Sequence, residues 1–323
     1  MGHALSSPRR RSLSKVRPAL GALKLAVDDA IKHGPKGIWY RDVVRQRILA
    51  SPPIEGTVDE QCEIHVLTSA RDWLNLVWTL KSFYVASGRR YALCIHEDGS
   101  LDAAALGHLE RNFPDARIIR RKHADALAEE TLRDFPLSLK FRQSNLLAPK
   151  VFDFLAFLDS DRMAVFDSDL LFFAEPTAYI ARIEDPAYVL NTFNADIADA
   201  YAVDRDIAAP LIGHDVAARF NSGLGLAHRN SLRLDWIEEF LALPGILDGH
   251  FWRMEQTIYA LCSSRYGVEL LPREYDLSLE PGIQGRPFRH YIGAIRHLMY
   301  SEGMANLSRR GLLDGRLAAE TGT

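Results

Sequence analysis

Between residues 64 and 119 the chain alternates short apolar runs with longer segments whose apolar residues recur at helical spacing, and this alternation sets the fold class. Ile64-His65-Val66-Leu67-Thr68 reads as a buried strand. Trp73, Leu76, Val77, Leu80 and Tyr84 follow three or four apart, as on one face of a helix. Tyr91 to Ile95 is a second strand, closed by the turn Asp98-Gly99. Leu101 to Phe113 reads as helix and Ala116 to Ile119 as a third strand. Strands separated by helices of this length form βαβ units, so the expected fold is α/β with a mostly parallel central sheet flanked by helices. In such sheets ligands bind beyond the carboxyl ends of the strands. Thr68, Ser69, His96 and Asp98 fall at those ends.

The main domain is placed from 58 to 305. Before it, residues 19–57 read as a helical extension and linker. Leu20, Leu23, Leu25, Ala26, Ala30 and Ile31 recur at helical spacing up to about Leu49, with Gly34-Pro35 as a stop and Pro52, Pro53 and Gly56 as the linker. Residues 1–18 carry Arg9, Arg10, Arg11, Lys15 and Arg17 with Ser6, Ser7, Pro8, Ser12 and Ser14 among them and no acid, which reads as a disordered basic tail. Such a tail suits peripheral contact with anionic lipid headgroups. Met1-Gly2-His3-Ala4-Leu5-Ser6 also fits a short myristoylation pattern. Residues 306–323 are read as a C-terminal tail.

A net charge of -3 gives no support to nucleic-acid binding. The apolar runs near Val165 and Phe173 are interrupted by acids and fall short of the ~18 residues a membrane span needs. The first eighteen residues lack the apolar core of a secretory signal. Cys62, Cys94 and Cys262 are too scattered for a disulfide framework or a zinc site, and Cys94 reads as packing within an apolar strand. The expected setting is therefore a reducing one, the cytosol, with membrane contact confined to the tail.

The stretch Arg162-Met163-Ala164-Val165-Phe166-Asp167-Ser168-Asp169-Leu170-Leu171-Phe172-Phe173 carries the chemistry. An apolar strand delivers two carboxylates one residue apart, and a second apolar strand follows. In extended chain, residues two apart face one side, so Asp167 and Asp169 converge. Two carboxylates held together in apolar surroundings repel and resist desolvation. A hard divalent cation, Mn2+ or Mg2+, relieves both costs and also bridges to phosphate oxygens.

Phe166-Asp167-Ser168-Asp169 resembles the Asp-x-Asp motif of glycosyltransferases with the A-type fold. Pro149-Lys150-Val151-Phe152-Asp153 resembles the segment leading into that motif's strand, and Phe220-Asn221-Ser222-Gly223-Leu224-Gly225 the Asn-Ser-Gly segment after it. Met254-Glu255-Gln256-Thr257-Ile258 resembles the Asp-Gln helix start, and His290-Tyr291-Ile292-Gly293-Ala294-Ile295-Arg296 the His-x-x-Gly-x-x-Lys motif of the glycogenin-like retaining enzymes. All five occur in the family's order over roughly residues 60 to 300. Glu255 stands where aspartate is usual, Arg296 where lysine is usual, and His297-Leu298 where Pro-Trp is usual.

The resemblance implies a single Rossmann-like nucleotide-diphospho-sugar transferase domain. Its donor would be a nucleotide sugar, uridine-linked by family habit, and its acceptor a sugar, glycan or lipid-linked glycan. Asp167, Asp169 and His290 would hold the metal. Thr68, Ser69, Lys150, Ser168, Asn221, Gly223, Gly293 and Arg296 would contact the donor, with Asn221 to Gly223 as a polar turn against the transferred sugar. Glu255 and Gln256, at a helix start, would face the reacting carbon opposite the diphosphate, as base or charge stabiliser and as acceptor-orienting group. The histidine motif favours retention of anomeric configuration. Ser69 also reads as a helix N-cap with Asp72 three residues on. The segment 194–212, rich in Asp and Ala, reads as a mobile acceptor-side lid.

Three rivals make different demands. A haloacid-dehalogenase-like phosphatase also places Asp-x-Asp after an apolar strand, but continues with Gly-Thr where this chain has Leu170-Leu171-Phe172-Phe173. A sugar-nucleotide pyrophosphorylase needs a glycine-rich loop after the first strand, where this chain has Thr68-Ser69-Ala70-Arg71. A non-catalytic nucleotide-sugar-binding domain needs no metal ligands.

Overall fold

The computed structural model describes residues 30–318. The basic tail read at 1–18, the myristoylation pattern, the first part of the helical extension and the last five residues lie outside the described residues.

Among the described residues there are nine strands: β1 (Asp59–Thr68), β2 (Tyr91–Glu97), β3 (Arg117–Ile119), β4 (Arg162–Phe166), β5 (Leu170–Phe172), β6 (Asn191–Ala195), β7 (Phe220–His228), β8 (Val268–Leu270) and β9 (Phe288–His290). Seven form one sheet in the order β3-β2-β1-β4-β7-β6-β8, while β5 and β9 pair separately. β1 runs parallel to β2 and β4, β2 to β3, and β6 to β8. β7 is antiparallel to both its neighbours. The sheet is thus mostly parallel, as the alternation of elements predicts, with one reversed strand next to the aspartate strand.

The helices are α1 (30–39), α2 (Trp73–Ser87), α3 (Ala103–Asn112), α4 (Arg121–Thr131), α5 (Pro136–Ser144), α6 (Ala148–Ala156), α7 (Thr177–Glu184), α8 (Arg205–Ile212), α9 (Leu234–Leu241) and α10 (Phe251–Tyr266). α2 is buried over most of its surface because it lies between the sheet and the helical turns at both chain ends. Trp78 Nε1 donates to the Arg45 carbonyl at 2.9 Å, and Lys81 Nζ donates to Ser51 and Pro52 carbonyls at 3.2 and 2.8 Å. Gly34 takes a left-handed φ of 62°, yet helical turns continue through Tyr40–Val44 and Arg45–Ala50. The Gly-Pro pair therefore disturbs the helical stretch without ending it. Ile48 joins the same core as Leu307 and Leu312, so the helical turns at both ends pack with α2 and β5.

Two apolar cores face opposite sides of the sheet. One gathers Phe83, Phe166, Phe172, Tyr179 and Leu224. The other gathers Phe152, Phe154, Val165, Phe193, Ile258 and Tyr259. Alternate residues of β4 serve each, as the pleat requires: Ala164 and Phe166 one, Met163 and Val165 the other. Burying side chains of this size contributes about 1.5–3 kcal/mol each. That double anchoring leaves β4 little freedom at its carboxyl end, where the aspartate pair begins.

Candidate active site

Asp167 leaves the end of β4 and Asp169 enters β5. Between them the chain makes a turn at Ser168, so the two carboxylates converge across a turn rather than along extended backbone. Asp167 N donates to the Gly223 carbonyl at 2.8 Å, fixing the turn to β7. On the other side, Leu170 pairs with His290 in the β5–β9 ladder, and Tyr291 N donates to the Asp169 carbonyl at 2.9 Å. β9 thereby brings His290 against residues more than a hundred positions earlier. α2 completes the edge of β5: Thr79 Oγ1 donates to the Leu170 carbonyl and Phe172 N donates to Ser82 Oγ, at 2.7 and 3.1 Å.

One ligand atom from each of Asp167, Asp169 and His290 lies within 4.8 Å of the others. His290 Nε2 is 3.1 Å from Asp169 Oδ1 and 3.5 Å from Asp167 Oδ2. The orientation of His290 follows from hydrogen bonds behind it. Asn221 Nδ2 donates to Asp196 Oδ2 at 2.9 Å, and Gly223 N donates to Asn221 Oδ1 at 3.0 Å, so Oδ1 is the acceptor. His290 Nδ1 lies 3.1 Å from that oxygen and must carry the hydrogen. Nε2 then points its lone pair at two carboxylates. Lone pair and anions repel unless a cation sits among them, so this donor set fits a divalent metal. Without one, a proton on Nε2 takes the cation's place. Burial alone would lower the His290 pKa, but Asp169 and Asp167 carry it above the ordinary histidine value.

The outer carboxylate oxygens are taken by cations. Arg296 Nη2 lies 2.5 Å from Asp169 Oδ2, and Nη1 lies 2.9 Å from Asp72 Oδ1. Burial would raise the Asp169 pKa, but Arg296 and His290 hold it far below the usual carboxylate range. Lys150 Nζ lies 2.8 Å from Asp167 Oδ1, 3.0 Å from Glu255 Oε1 and 3.2 Å from the Ser222 carbonyl.

Lys150 is not a solvated residue ahead of a strand. It sits in α6, almost wholly buried. Pro149 stands in the first turn of α6, where its missing N–H costs nothing, and Val151, Phe152 and Phe154 bury the helix. A two-pronged ion pair from Arg142 to Asp153, at 2.6 and 2.7 Å, and a 2.6 Å bond from Tyr259 Oη to the Lys150 carbonyl lock it in place.

Glu255 and Gln256 lie in the second turn of α10, and both are buried. Burial pushes the Glu255 pKa up to about 7; Lys150 and the Ser222 hydroxyl, which donates to Oε2 at 3.0 Å, pull it down. The position is too deep in the helix and the protein for a simple first-turn acid. Gln256 is a tie: Oε1 accepts from Asn221 Nδ2 at 3.4 Å and Nε2 donates to the Ala200 carbonyl at 3.2 Å.

Asn221, Ser222 and Gly223 do not form a turn. They lie inside β7, next to β4, with every polar side chain held by a neighbour. Gly223 is needed for space: a Cβ there would lie 2.3 Å from His290 Cε1. Thr68 closes β1 as expected, with a buried hydroxyl that has no protein partner among the described residues. Ser69 does not cap α2: the cap position is Asp72, which spends its carboxylate on Arg296. Ser168 is half-buried beside the pair, and Gly293 is exposed three residues beyond His290. Asn194 and Ala195 belong to β6 and residues 205–212 to α8, so the segment read as a lid is partly regular structure.

Two site residues escaped the sequence reading. Asp72 was visible only as a capping partner and Asp196 only as one of many acids in its segment. Among the described residues no helix is long and apolar enough to cross a membrane.

No protein-family model matches the chain, and no curated protein matches it. Among solved structures, it is similar to the galactosyltransferase LgtC in complex with donor and acceptor sugar analogs, with 14% identity, TM-score 0.48, and 75% of this chain and 95% of that one covered. It is also similar to mouse xyloside xylosyltransferase 1, with 10% identity, TM-score 0.47, and 74% and 99% covered. A third is core-mannan synthase A from Aspergillus fumigatus in an Mn/GDP form, with 10% identity, TM-score 0.45, and 68% and 75% covered.

Proposed function

We propose that the chain is a metal-dependent glycosyltransferase that moves a sugar from a nucleoside-diphosphate donor, uridine-linked, to a sugar, glycan or lipid-linked acceptor. The observation that carries this reading is the inward-facing trio Asp167 Oδ2, Asp169 Oδ1 and His290 Nε2, oriented by Asn221 and lying beyond a strand of a mostly parallel sheet.

Asp72, Asp167, Asp169 and Glu255 pair with two fixed cations, Lys150 and Arg296, and Asp196 adds a fifth acid behind Asn221. This surplus of negative charge suits a divalent cation and, through it, an anionic ligand. Mn2+ or Mg2+ held by Asp167, Asp169 and His290 would neutralise the charge growing on the departing diphosphate. Arg296 keeps the Asp169 carboxylate turned so that one oxygen stays with the trio. Lys150 does the same for Asp167 and places a positive charge between the metal ligands and Glu255. Thr68, Ser69, Ser168 and Gly293 are assigned to the donor: Thr68 offers a buried hydroxyl without a partner among the described residues, and Gly293 an open backbone.

Glu255 is assigned to the reacting carbon as base or charge stabiliser. A buried carboxyl whose pKa lies near 7 exchanges a proton at neutral pH, which suits that role. Gln256 holds residue 200 to β7 and so shapes the acceptor side. Retention of configuration rests on the likeness of the His290 to Arg296 segment to the glycogenin-like enzymes.

The test is a panel of nucleotide sugars assayed for hydrolysis and transfer with and without Mn2+. One uridine-linked sugar is expected to turn over only with metal. Release of phosphate from simple phosphomonoesters, with no nucleotide sugar consumed, would overturn the reading.

A further inference from the structure

On the opposite side of the central strands from the phenylalanine cluster of Phe83 and Phe166, three metal-ligating side chains meet away from the aspartates. We propose that His65, Cys94 and His96 form a second metal site, one that takes a thiophilic cation, Zn2+ or Cu+. The reading is independent of the glycosyltransferase assignment.

The register of β1 and β2 creates the cluster. His65 pairs with Cys94 and Leu67 with His96, so these side chains share one face. His65 Nδ1 is 3.0 Å from His96 Nε2, and Cys94 Sγ is 3.4 Å from the same Nε2. One ligand atom of each residue lies within 4.8 Å of the others. Nitrogens bound at about 2.0–2.1 Å to one tetrahedral ion sit roughly 3.3 Å apart, and a nitrogen and a thiolate slightly more. The side chains need to spread by only a few tenths of an ångström to admit one.

Glu63 stands behind His65. Its Oε2 lies 3.1 Å from His65 Nε2, and Arg117 pairs with the other carboxylate oxygen. A carboxylate facing Nε2 favours the hydrogen on that nitrogen, which leaves the Nδ1 lone pair for Cys94 and His96. A carboxylate behind the far nitrogen of a metal-bound histidine is the usual way of fixing such a ligand.

The surroundings are apolar. Ile119, Ala124, Phe154 and Phe157 cover the group, with the Phe154 ring 5.3 Å from that of His65 and 4.7 Å from that of His96. All three side chains are buried. His96 Nδ1 is a buried nitrogen with no hydrogen-bond partner among the described residues, while its Nε2 faces the other two side chains. On loading, the Cys94 proton leaves to solvent and a sulfur–metal bond replaces the S–H bond. Two imidazoles and a thiolate prefer Zn2+ or Cu+ over Mn2+ or Mg2+. Counting cysteines alone hides this site, because two of its three ligands are histidines.

The full chain, untagged, would be produced in zinc- and in copper-supplemented medium and its metal content measured per chain. About one Zn2+ or Cu+ per chain is expected, retained when Asp167→Asn and Asp169→Asn are combined and lost in Cys94→Ala and in His96→Phe. Protein loaded with Co2+ should show a thiolate-to-cobalt charge-transfer band. Folded wild-type protein that takes up neither metal, or a Cys94→Ala protein that binds as much as wild type, overturns the site. Should the variants fail to fold, the cobalt spectrum of the wild type decides, and absence of the band counts against the proposal.

Discussion

Gly223 and His290 are in such close contact that the imidazole occupies the space where a side chain at 223 would begin, with 2.3 Å between an added Cβ and His290 Cε1. The backbone of β7 is thus the floor on which the His290 ring rests. Gly223→Ala must push the ring away from Asp167 and Asp169. Overpacking of this kind costs about 1–3 kcal/mol, which thermal unfolding will read. The displaced ring should also lower metal-dependent kcat/KM by about a hundredfold, since an ångström of misplacement has that effect.

Lys150 is the shared counter-ion of Asp167 and Glu255 in a buried setting. Lys150→Met keeps the stem's bulk and removes the charge. Breaking a buried ion pair from one side costs about 3–5 kcal/mol, and the metal-free protein should lose that much in denaturant unfolding. Mn2+ should restore part of the loss in the variant, because it offsets the charge on Asp167.

Glu255 gives the metal-free protein a pH signature. Its pKa rises from 4.5 to about 7 on folding, mainly through burial. Between those values the native state holds more protons than the unfolded chain, so stability falls as pH rises, by an amount on the order of 3 kcal/mol. The contribution is intact below the unfolded value and the loss is complete above the folded one. Glu255→Gln should flatten the stability profile across that window and be the more stable protein at pH 8 in denaturant titrations. An unchanged slope in the variant would assign the titration to another group.

The first three strands, and the two that flank the aspartate pair, were legible because apolar runs of strand length alternate with helical spacing. The aspartate pair was legible because an apolar strand delivers it. What was not legible depends on partners far along the chain. Asn221 to Ser222 reads as a turn because polar residues interrupt apolar ones, but inside β7 they are satisfied by Asp196, Gln256 and Glu255. The burial of Lys150 was not legible, because its two carboxylates come from just beyond the end of β4 and from α10. The run α4 to α6 falls between the third strand and the aspartate strand and was not read from the sequence. The pairing that puts His290 beside Asp169 joins two three-residue strands, too short for any periodic signal.

Calorimetric titration of Mn2+ into the chain, with and without uridine diphosphate, tests the central claim most directly. The trio predicts that wild-type protein binds Mn2+, binds it more tightly with the nucleotide, and that Asp169→Asn, still folded by circular dichroism, loses both effects. Equal Mn2+ binding by wild type and a folded Asp169→Asn protein would contradict the account.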